Sequence, residues 1–468
     1  MARRRWYLHA AALLALTAPI VGCEPDPVRS TLERPIDPVV LTGAQAPGLV
    51  GAQPGRVVAF RASSQGWTQL PVQVDERRTT TNAAIYNLPP GQFGSSTDVP
   101  VNVYADPTTF TGADPTPTVD ADDEIVFMAH DAGGDAGSLP APPGTVAGSG
   151  VEVAIHDPSA PAAVGYVYLF RSDGSLDPSA GRSYVGYTFS LNSGDYKTTY
   201  RRTAGPNPEN STITGATYTA HFSDRWLLDQ VSLTFGDRPG VDLVDRVMYR
   251  FPGVCVRNED TFDNGEGAFV VNKVGPVRAL RGYLGANSGP NTQATHAFYD
   301  TALETVIDLR VHGIPGVGAT LDLNQQAAGM TFRNPQVPNG VPIDGNPDTV
   351  PAGAPSWWTM TGSQGNLGVA ASFQSNLGLN PQTYYQDDLT PAGQCTGDGQ
   401  AVGEAGSFFN TTIPCTDPGT ACTGTLRSRI TTIAAPPGDP ALVRTWAQQS
   451  LQPLTVTTRS VLSSLSPA

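Results

Sequence analysis

Short runs of alternating apolar and polar residues, separated by turn signals, recur along this chain and restrict its fold more than any other feature. A side-chain period of two is typical of a β-strand with one buried face. Asn-Gly and Asp-Gly pairs between the runs are typical of β-hairpins. Four clear runs are 151–156, 164–171, 241–251 and 267–284. The sequence therefore predicts an all-β protein whose antiparallel sheets pack as a β-sandwich or supersandwich.

Helix signals are scarce. The chain contains only 10 Glu and 2 Lys, the residue types that most often form exposed helix. The best helix candidate is 440–452, where Asp439 can cap the first turn and Pro440 fits it. This composition excludes coiled coils and helical bundles, and a net charge of −14 argues against binding to nucleic acid. The sequence also contains no nucleotide-binding loop, zinc-protease motif or serine-hydrolase elbow.

The N-terminal segment carries the clearest motif. Residues 1–22 combine three arginines with an apolar stretch that is too short to span a membrane as a helix. The sequence Ile-Val-Gly-Cys that ends at Cys23 resembles the lipobox of bacterial lipoproteins. The resemblance implies that a signal peptide, 1–22, is removed and that the Cys23 thiol is acylated. We therefore expect a lipid-anchored protein of the bacterial cell envelope, and Glu24 favours the outer membrane.

Four cysteines remain after the lipobox: Cys255, Cys395, Cys415 and Cys422. An even number in an exported chain predicts two disulfides, with three pairings open. The short spacings favour a bond from Cys415 to Cys422 or to Cys395. A zinc site is the alternative, but no Cys-x-x-Cys pair supports it.

Composition also suggests how the chain is divided. Residues 23–34 are polar and rich in Pro, as expected of a tether between the lipid and the folded part. The segment 131–150 is rich in Pro, Gly and Ala and lacks strand periodicity. We expect a smaller N-terminal β-domain at 35–150 and a large supersandwich-like domain at 151–468.

Two segments, 70–76 (LPVQVDE) and 120–129 (DADDEIVFMA), resemble a pattern near the N-termini of bacterial proteins related to exo-acting rhamnogalacturonan lyases. In those proteins a small β-domain precedes a supersandwich domain of the galactose-mutarotase-like kind. The Gly-Pro-Val-Arg sequence that ends at Arg278 also recurs in supersandwich carbohydrate-active proteins. The resemblance implies a carbohydrate partner for this chain.

The acidic cluster in the second of these segments has two interpretations. Asp120, Asp122 and Asp123 could bind calcium, because hard cations prefer several carboxylate oxygens. The alternative is that these carboxylates cap a turn before a strand, since the full spacing of a calcium loop is missing.

Arg278, Arg281 and Tyr283 form a first group of candidate site residues. Strand parity places Arg281 and Tyr283 on one face and Arg278 on the other. A guanidinium binds a carboxylate in a bidentate manner and a phenol can transfer a proton. Arg281 and Tyr283 are therefore candidates for catalysis on an acidic sugar, and Arg278 is a candidate for binding. The alternative is an arginine that pairs with an aspartate on a solvated face.

A second group follows along the chain. His296 shares a strand face with Phe298 and is a binding candidate, whereas Tyr299 points to the opposite face. Arg310 and His312 share a face, which would place an acid or base beside a cation. Lyase chemistry needs a neutralised carboxylate, a base and a proton donor, and the residues that could supply them are Arg281, Tyr299, Arg310 and His312. A packed or surface histidine is the alternative.

A third group lies in the run 196–202, where Tyr200 and Arg202 could stack against sugar rings and bind their hydroxyls. A tyrosine-bearing strand could equally belong to a sandwich core.

These features predict an envelope-anchored lipoprotein that binds extracellular carbohydrate, such as an acidic polysaccharide, and the resemblance implies a relative of polysaccharide lyases. The alternative is a non-catalytic structural or interaction lipoprotein. Whether the chain is an enzyme stays open, and calcium is the one cofactor that the sequence suggests.

A Cys23→Ser variant tests the predicted anchor, because it removes the thiol that would be acylated. We expect the wild-type chain in the membrane fraction, beginning at an acylated Cys23, and the variant to lose both properties. Cell fractionation with intact-mass spectrometry measures this. A wild-type chain that keeps residues 1–22 or carries no acyl group would contradict the prediction.

Overall fold

The computed structural model describes residues 29–91, 100–192, 209–236, 240–250, 267–286, 289–310, 315–391, 398–409, 412 and 425–461. Antiparallel strands make up most of this part of the chain, which confirms the predicted all-β class. Among the described residues, no helix has the length and apolar character needed to cross a membrane.

The first part of the chain forms nine strands and one short helix. They are β1 (Pro38–Thr42), β2 (Val57–Ser63), β3 (Gly66–Leu70), β4 (Gln73–Asp75), β5 (Arg77–Thr81), α1 (Asn82–Ile85), β6 (Pro100–Tyr104), β7 (Glu124–Met128), β8 (Val151–Asp157) and β9 (Ala160–Arg171). Short 3-10 turns lie between some of them, at Gly43–Gln45, Pro47–Leu49, Pro54–Arg56 and Ala129–Asp131.

The middle of the chain continues with short and then longer strands. They are β10 (Gly186–Thr188), β11 (Ser211–Thr214), β12 (Tyr218–Phe222), β13 (Leu228–Leu233), β14 (Val241–Asp242), β15 (Val244–Arg250), β16 (Ala268–Val274), β17 (Ala279–Ala286), β18 (Gly289–Phe298) and β19 (Ala302–Arg310).

The last part of the described chain contains an 11-residue helix. Its elements are β20 (Val317–Leu323), a 3-10 turn (Gln325–Ala327), β21 (Thr331–Arg333), β22 (Val341–Pro342), β23 (Trp357–Gly362), β24 (Gly365–Ser375), β25 (Gln382–Asp388), β26 (Ala401–Phe409), β27 (Thr425–Ala435), α2 (Pro440–Ser450) and β28 (Thr455–Ser460).

A nine-stranded sheet is the largest unit, with the order β16-β17-β18-β19-β27-β24-β23-β21-β22. The sequence suggested one strand over 267–284, but this run divides into β16 and β17. The division falls at Gly275-Pro276, where the Gly275 N–H donates to the Arg278 carbonyl in a tight turn. Pro276 has no N–H for a ladder, which favours this break.

One face of this sheet packs into the main core. It faces the five-stranded sheet β10-β11-β12-β13-β14 and the four-stranded sheet β15-β20-β26-β25. Phe298 and Met360 of the large sheet meet Val231 of the five-stranded sheet and Leu321 and Ala405 of the four-stranded sheet. The three sheets therefore form the predicted sandwich.

A second core lies between two smaller sheets, β28-β8-β9-β2-β3 and β1-β7-β4. Because β2 pairs with β9 and β8 pairs with β28, one sheet joins strands from both sides of residue 150 and from the last part of the chain. The domain limits 35–150 and 151–468 stay predictions.

Helix α2 packs on the other face of the nine-stranded sheet. The Asp439 side chain caps its first turn by accepting from the Ala441 N–H, as the sequence predicts, and the helix ends at Ser450. Val443 and Ala447 are fully buried against the sheet. A Cβ at Gly368 would come within 2.6 Å of the Val443 side chain, so a glycine lets the helix approach closely.

Arg34 fastens the beginning of the described chain to this helix. Its buried guanidinium donates to Asp37 (Nε–Oδ2 3.0 Å) and Asp157 (Nη1–Oδ1 2.9 Å) and to the carbonyls of Gln449 and Gln452. The contacts join three segments that are distant in sequence.

An Arg34→Met variant would leave two carboxylates and two carbonyls without their donor. We expect it to lower the free energy of unfolding by about 3–5 kcal/mol, as the loss of one partner of a buried ion pair does. Denaturant unfolding measures this, with the exposed Arg29→Met as control. Equal midpoints for both variants would contradict the interpretation.

Candidate functional site

A cleft of about 740 Å³ lies on the face of the nine-stranded sheet that is turned away from the main core. Its floor is formed by β18, β19, β27 and β24. Its walls come from β1, from the β5–β6 pair, from the C-terminal end of α2 and from β28. This volume is in the range typical of ligand-binding sites in proteins.

The floor is mostly polar, and it is formed by alternate residues of four neighbouring strands that point into the cleft. One row across the strands, taken from the register, is Gln293, Asp308, Arg427 and Gln374. The next row is Thr295, Val306, Arg429 and Ser372. The intervening residues on the same strands face the core. The floor therefore offers donors and acceptors at the spacing of neighbouring strands.

Two ion pairs cross the floor. Arg429 Nε donates to Glu304 Oε2 at 2.7 Å, and Arg427 Nη1 lies 3.3 Å from both carboxylate oxygens of Asp308. The side chains of Arg427 and Arg429 remain 54% and 41% exposed. Sequence analysis missed these residues, although the alternation at 304–308 and 427–431 is a signal that could have found them.

One end of the cleft is closed by a network around Arg278, which we call the Arg278 network: Gln73, Asp75, Glu124, Lys273 and Arg278. Arg278 is 2% exposed and donates to Asp75 (Nε–Oδ2 2.8 Å) and Glu124 (Nη2–Oε2 2.6 Å). The side-chain oxygen Oε1 of Gln73 accepts from the backbone N–H of Arg278 at 3.0 Å. The three segments singled out for their resemblance thus meet at one junction.

Charge compensation keeps both carboxylates of this network ionised. Burial by itself would raise the pKa of Asp75, but Arg278 and Lys273 hold it below its ordinary value. Burial likewise opposes ionisation of Glu124, and Arg278 and Arg77 lower its pKa. The network is therefore a set of paired charges, and neither carboxyl group is suited to act as a proton donor at neutral pH.

Two tyrosines lie beside the network. The Tyr104 hydroxyl donates to Glu124 Oε2 at 2.8 Å, and Arg278 Nη1 lies 3.4 Å from the Tyr299 hydroxyl. Burial raises the pKa of Tyr299 to about 12, although Arg278 opposes the shift. Tyr299 is therefore protonated at neutral pH and is suited to donate rather than to act as a base.

Arg281, Tyr283 and His296 lie on the opposite, core-facing side of the sheet, as strand parity predicts. Arg281 is completely buried and makes a bidentate pair with Glu209, with N–O distances of 2.9 and 2.5 Å. Tyr283 packs edge-on against Trp226. The structure brings these residues together but separates them from Arg278 and Tyr299, which line the cleft.

His296 lines a small cavity of about 60 Å³ between the sheets. Its ring stacks on Phe298, and Nδ1 lies 2.9 Å from the Thr305 hydroxyl. Burial, together with the nearby Arg281, lowers the pKa of His296 to about 3. The ring is therefore neutral at ordinary pH.

Several predicted residues cannot be placed. His312, Tyr200, Arg202 and the cysteines Cys23, Cys255, Cys395, Cys415 and Cys422 lie outside the described residues. Arg310 ends β19, and its side chain is also outside the description. Their predicted roles, and the disulfides, stay predictions.

The acidic cluster at 120–123 forms a turn before β7. Asp123 is fully buried and accepts from the backbone N–H groups of Arg77 (2.8 Å) and Asp120 (2.9 Å), and Asp122 accepts from the Asn102 side chain. Burial raises the pKa of Asp123. Within the described ranges, no three His, Cys, Asp or Glu side chains are grouped to hold a metal ion. The contacts fit the turn-capping interpretation, and calcium stays a prediction.

Comparisons with known proteins give weak likenesses. No protein-family model and no curated protein matches the chain. A solved protein from Synechocystis sp. PCC 6803 is 7% identical, with a TM-score of 0.29, over 52% of this chain and all of that one. An Escherichia coli K12 protein named as an aldose 1-epimerase is 10% identical, with a TM-score of 0.25, over 54% of this chain and all of that one.

An α-mannosidase from Enterococcus faecalis V583 is 10% identical, with a TM-score of 0.39. The likeness covers 93% of this chain but only 47% of the mannosidase. At these scores the likenesses assign no function to the chain.

A His296→Gln variant tests the buried neutral histidine. With a folded pKa of about 3 and an unfolded pKa near 6.5, His296 stabilises the fold fully above about pH 6.5. This contribution is lost as the pH falls towards 3, at up to about 1.4 kcal/mol per pH unit. The free energy of unfolding of the variant should fall less steeply than that of wild type over this window. Parallel pH profiles would contradict the assignment.

Proposed function

We propose that this chain is a carbohydrate-binding lipoprotein of the cell envelope and that it holds an oligosaccharide on the polar floor of the cleft. The observation that carries the proposal is the floor itself, on which alternate residues of four adjacent strands present hydrogen-bonding side chains to one open volume. The lipid anchor at Cys23 is part of the proposal and is supported by the lipobox resemblance.

The chemistry of the floor suits a polyhydroxylated ligand. Each sugar hydroxyl can donate one hydrogen bond and accept others, so it needs donors and acceptors close together. Arg427 and Arg429 donate, Glu304 and Asp308 accept, and Gln374 can do both. Neighbouring strands lie about 4.8 Å apart, so four strands offer such groups over roughly 14 Å. That width exceeds a single sugar ring and favours a chain of sugars.

The floor and the walls also offer apolar contact. Val306 lies between the charged residues on the floor, and Val40 of β1 borders the cleft with 40% of its surface exposed. The Tyr104 ring faces the cleft beneath the Arg77 guanidinium, whose central carbon lies 4.6 Å from the ring centre. Apolar surfaces among fixed polar groups are typical of ligand sites, where they pack against the C–H faces of a ligand.

The contacts support binding more than catalysis. A lyase mechanism requires a cation to neutralise a carboxylate, together with a base and a proton donor at the same atoms. Of the predicted catalytic residues whose side chains are described, Tyr299 lines the cleft, whereas Arg281 and Tyr283 lie in the core on the other side of the sheet. We therefore propose a binding protein.

A Thr295→Trp variant tests this proposal, because a large ring on β18, at one side of the floor, would project into the cleft and obstruct a ligand. We expect the purified full chain to bind one or more oligosaccharides on an array of neutral and acidic glycans. The variant should bind those glycans at least about tenfold more weakly, a loss of about 1.4 kcal/mol.

The matched control is Thr68→Trp, an exposed position on β3 outside the cleft, which should bind like wild type. Isothermal titration calorimetry measures the affinities, and thermal unfolding checks the fold of each variant. Absence of binding by the wild-type chain, or equal affinities for wild type and Thr295→Trp, would contradict the proposal.

A further inference from the structure

We infer that the cleft selects an uncharged glycan over an acidic one and that the Glu304–Arg429 pair makes the selection. This inference rests on the proposed function and adds the class of ligand to it. It departs from the acidic polysaccharide that the sequence suggested.

The charges on the floor are balanced. Glu304 pairs diagonally with Arg429 across β19 and β27, because their register partners are Thr431 and Val306, whereas Asp308 lies directly opposite Arg427 on the same two strands. At the closed end Arg278 donates to both Asp75 (2.8 Å) and Glu124 (2.6 Å), and Glu124 also accepts from Arg77 (2.8 Å), so two carboxylates face two arginines. The cleft therefore presents paired charges of both signs and no excess of positive charge.

A glycan carboxylate would fit this arrangement poorly. To reach Arg429 it would have to displace Glu304 or lie beside it, and two carboxylates in contact repel each other strongly when water is partly excluded. The net charge of −14 on the whole chain adds to the repulsion at longer range. An acidic polymer would therefore lose binding energy along the whole floor.

A hydroxyl can use the same pair without breaking it. Arg429 contacts Glu304 through Nε and Nη2, and among the described residues no group bonds to Nη1. A sugar hydroxyl can accept from Nη1 and donate to Glu304, so that both charges stay neutralised. Glu304 and Arg429 remain 21% and 41% exposed, so both are accessible from the cleft.

An uncharged ligand and an acidic ligand predict opposite effects of Glu304→Gln on the binding affinity. If the ligand is uncharged, Glu304→Gln and Arg429→Gln both weaken binding, because each removes half of a charged donor–acceptor pair. If the ligand is acidic, Arg429→Gln weakens binding but Glu304→Gln strengthens it, because a repelling carboxylate is lost. Glutamine keeps the approximate size of each side chain, so the comparison isolates the charge.

The experiment titrates wild type and both variants with neutral xylan, mannan and cellulose hexamers and with a galacturonic acid hexamer. We expect a neutral hexamer to bind best and each variant to lose about tenfold in its affinity, as charged hydrogen bonds contribute. Binding of that hexamer should change less than twofold between about 0.05 and about 0.5 M salt, since no net charge is paired. The control, Asp173→Asn in an exposed turn outside the cleft, should match wild type.

Arg427→Gln, at the more exposed pair, serves as a second variant if either of the first two fails to fold, and it should also weaken the neutral hexamer. Preference for the galacturonic acid hexamer, with tighter binding by Glu304→Gln and loss of affinity in salt, would overturn this inference and leave the proposed function in place. If no hexamer binds to the wild-type chain, or if Thr295→Trp weakens the binding of none of them, both this inference and the proposed function are overturned.

Discussion

A buried guanidinium, that of Arg278, joins the nine-stranded sheet to the β1-β7-β4 sheet. Arg278 lies in the turn that joins β16 and β17 of the nine-stranded sheet, whereas its partners Asp75 and Glu124 belong to the β1-β7-β4 sheet. A buried charge without a partner costs several kcal/mol, so the two sheets avoid that cost only when they pack with these three side chains in contact. Val126 and Met128 of β7 pack against Leu280 and neighbouring residues of the large sheet around this contact. The cleft exists because this junction closes one end of the polar face and leaves the rest open.

The two-residue period of the β-strand accounts for the separation of core and cleft. On β18 and β19, His296, Phe298 and Leu303 face the sandwich core, whereas Thr295 and Glu304 face the cleft. One set of strands therefore supplies both the apolar layer that stabilises the fold and the polar array proposed to bind sugar. A ligand site built on paired strands is also rigid, because each floor residue is fixed by a ladder on both sides.

Local patterns allowed the all-β class, the capped helix at 440 and the opposite orientation of Arg278 and Arg281 to be predicted from the sequence. Long-range pairing could not be predicted. Nothing local shows that Arg281 meets Glu209 in the core, which removes it from the cleft. Local patterns also do not show that β27 pairs with β19, which lies more than a hundred residues earlier in the chain. This pairing places Arg429 next to Glu304. The candidate site was missed for this reason, although its members stand in alternating runs.

A crystal structure of the chain with the neutral hexamer that binds most tightly tests the central claim most directly. The account predicts sugar rings on the floor formed by β18, β19, β27 and β24, with ring hydroxyls within hydrogen-bond distance of both Glu304 and Arg429 and the ion pair intact. A hexamer bound on another surface, with the cleft occupied only by solvent, would contradict it.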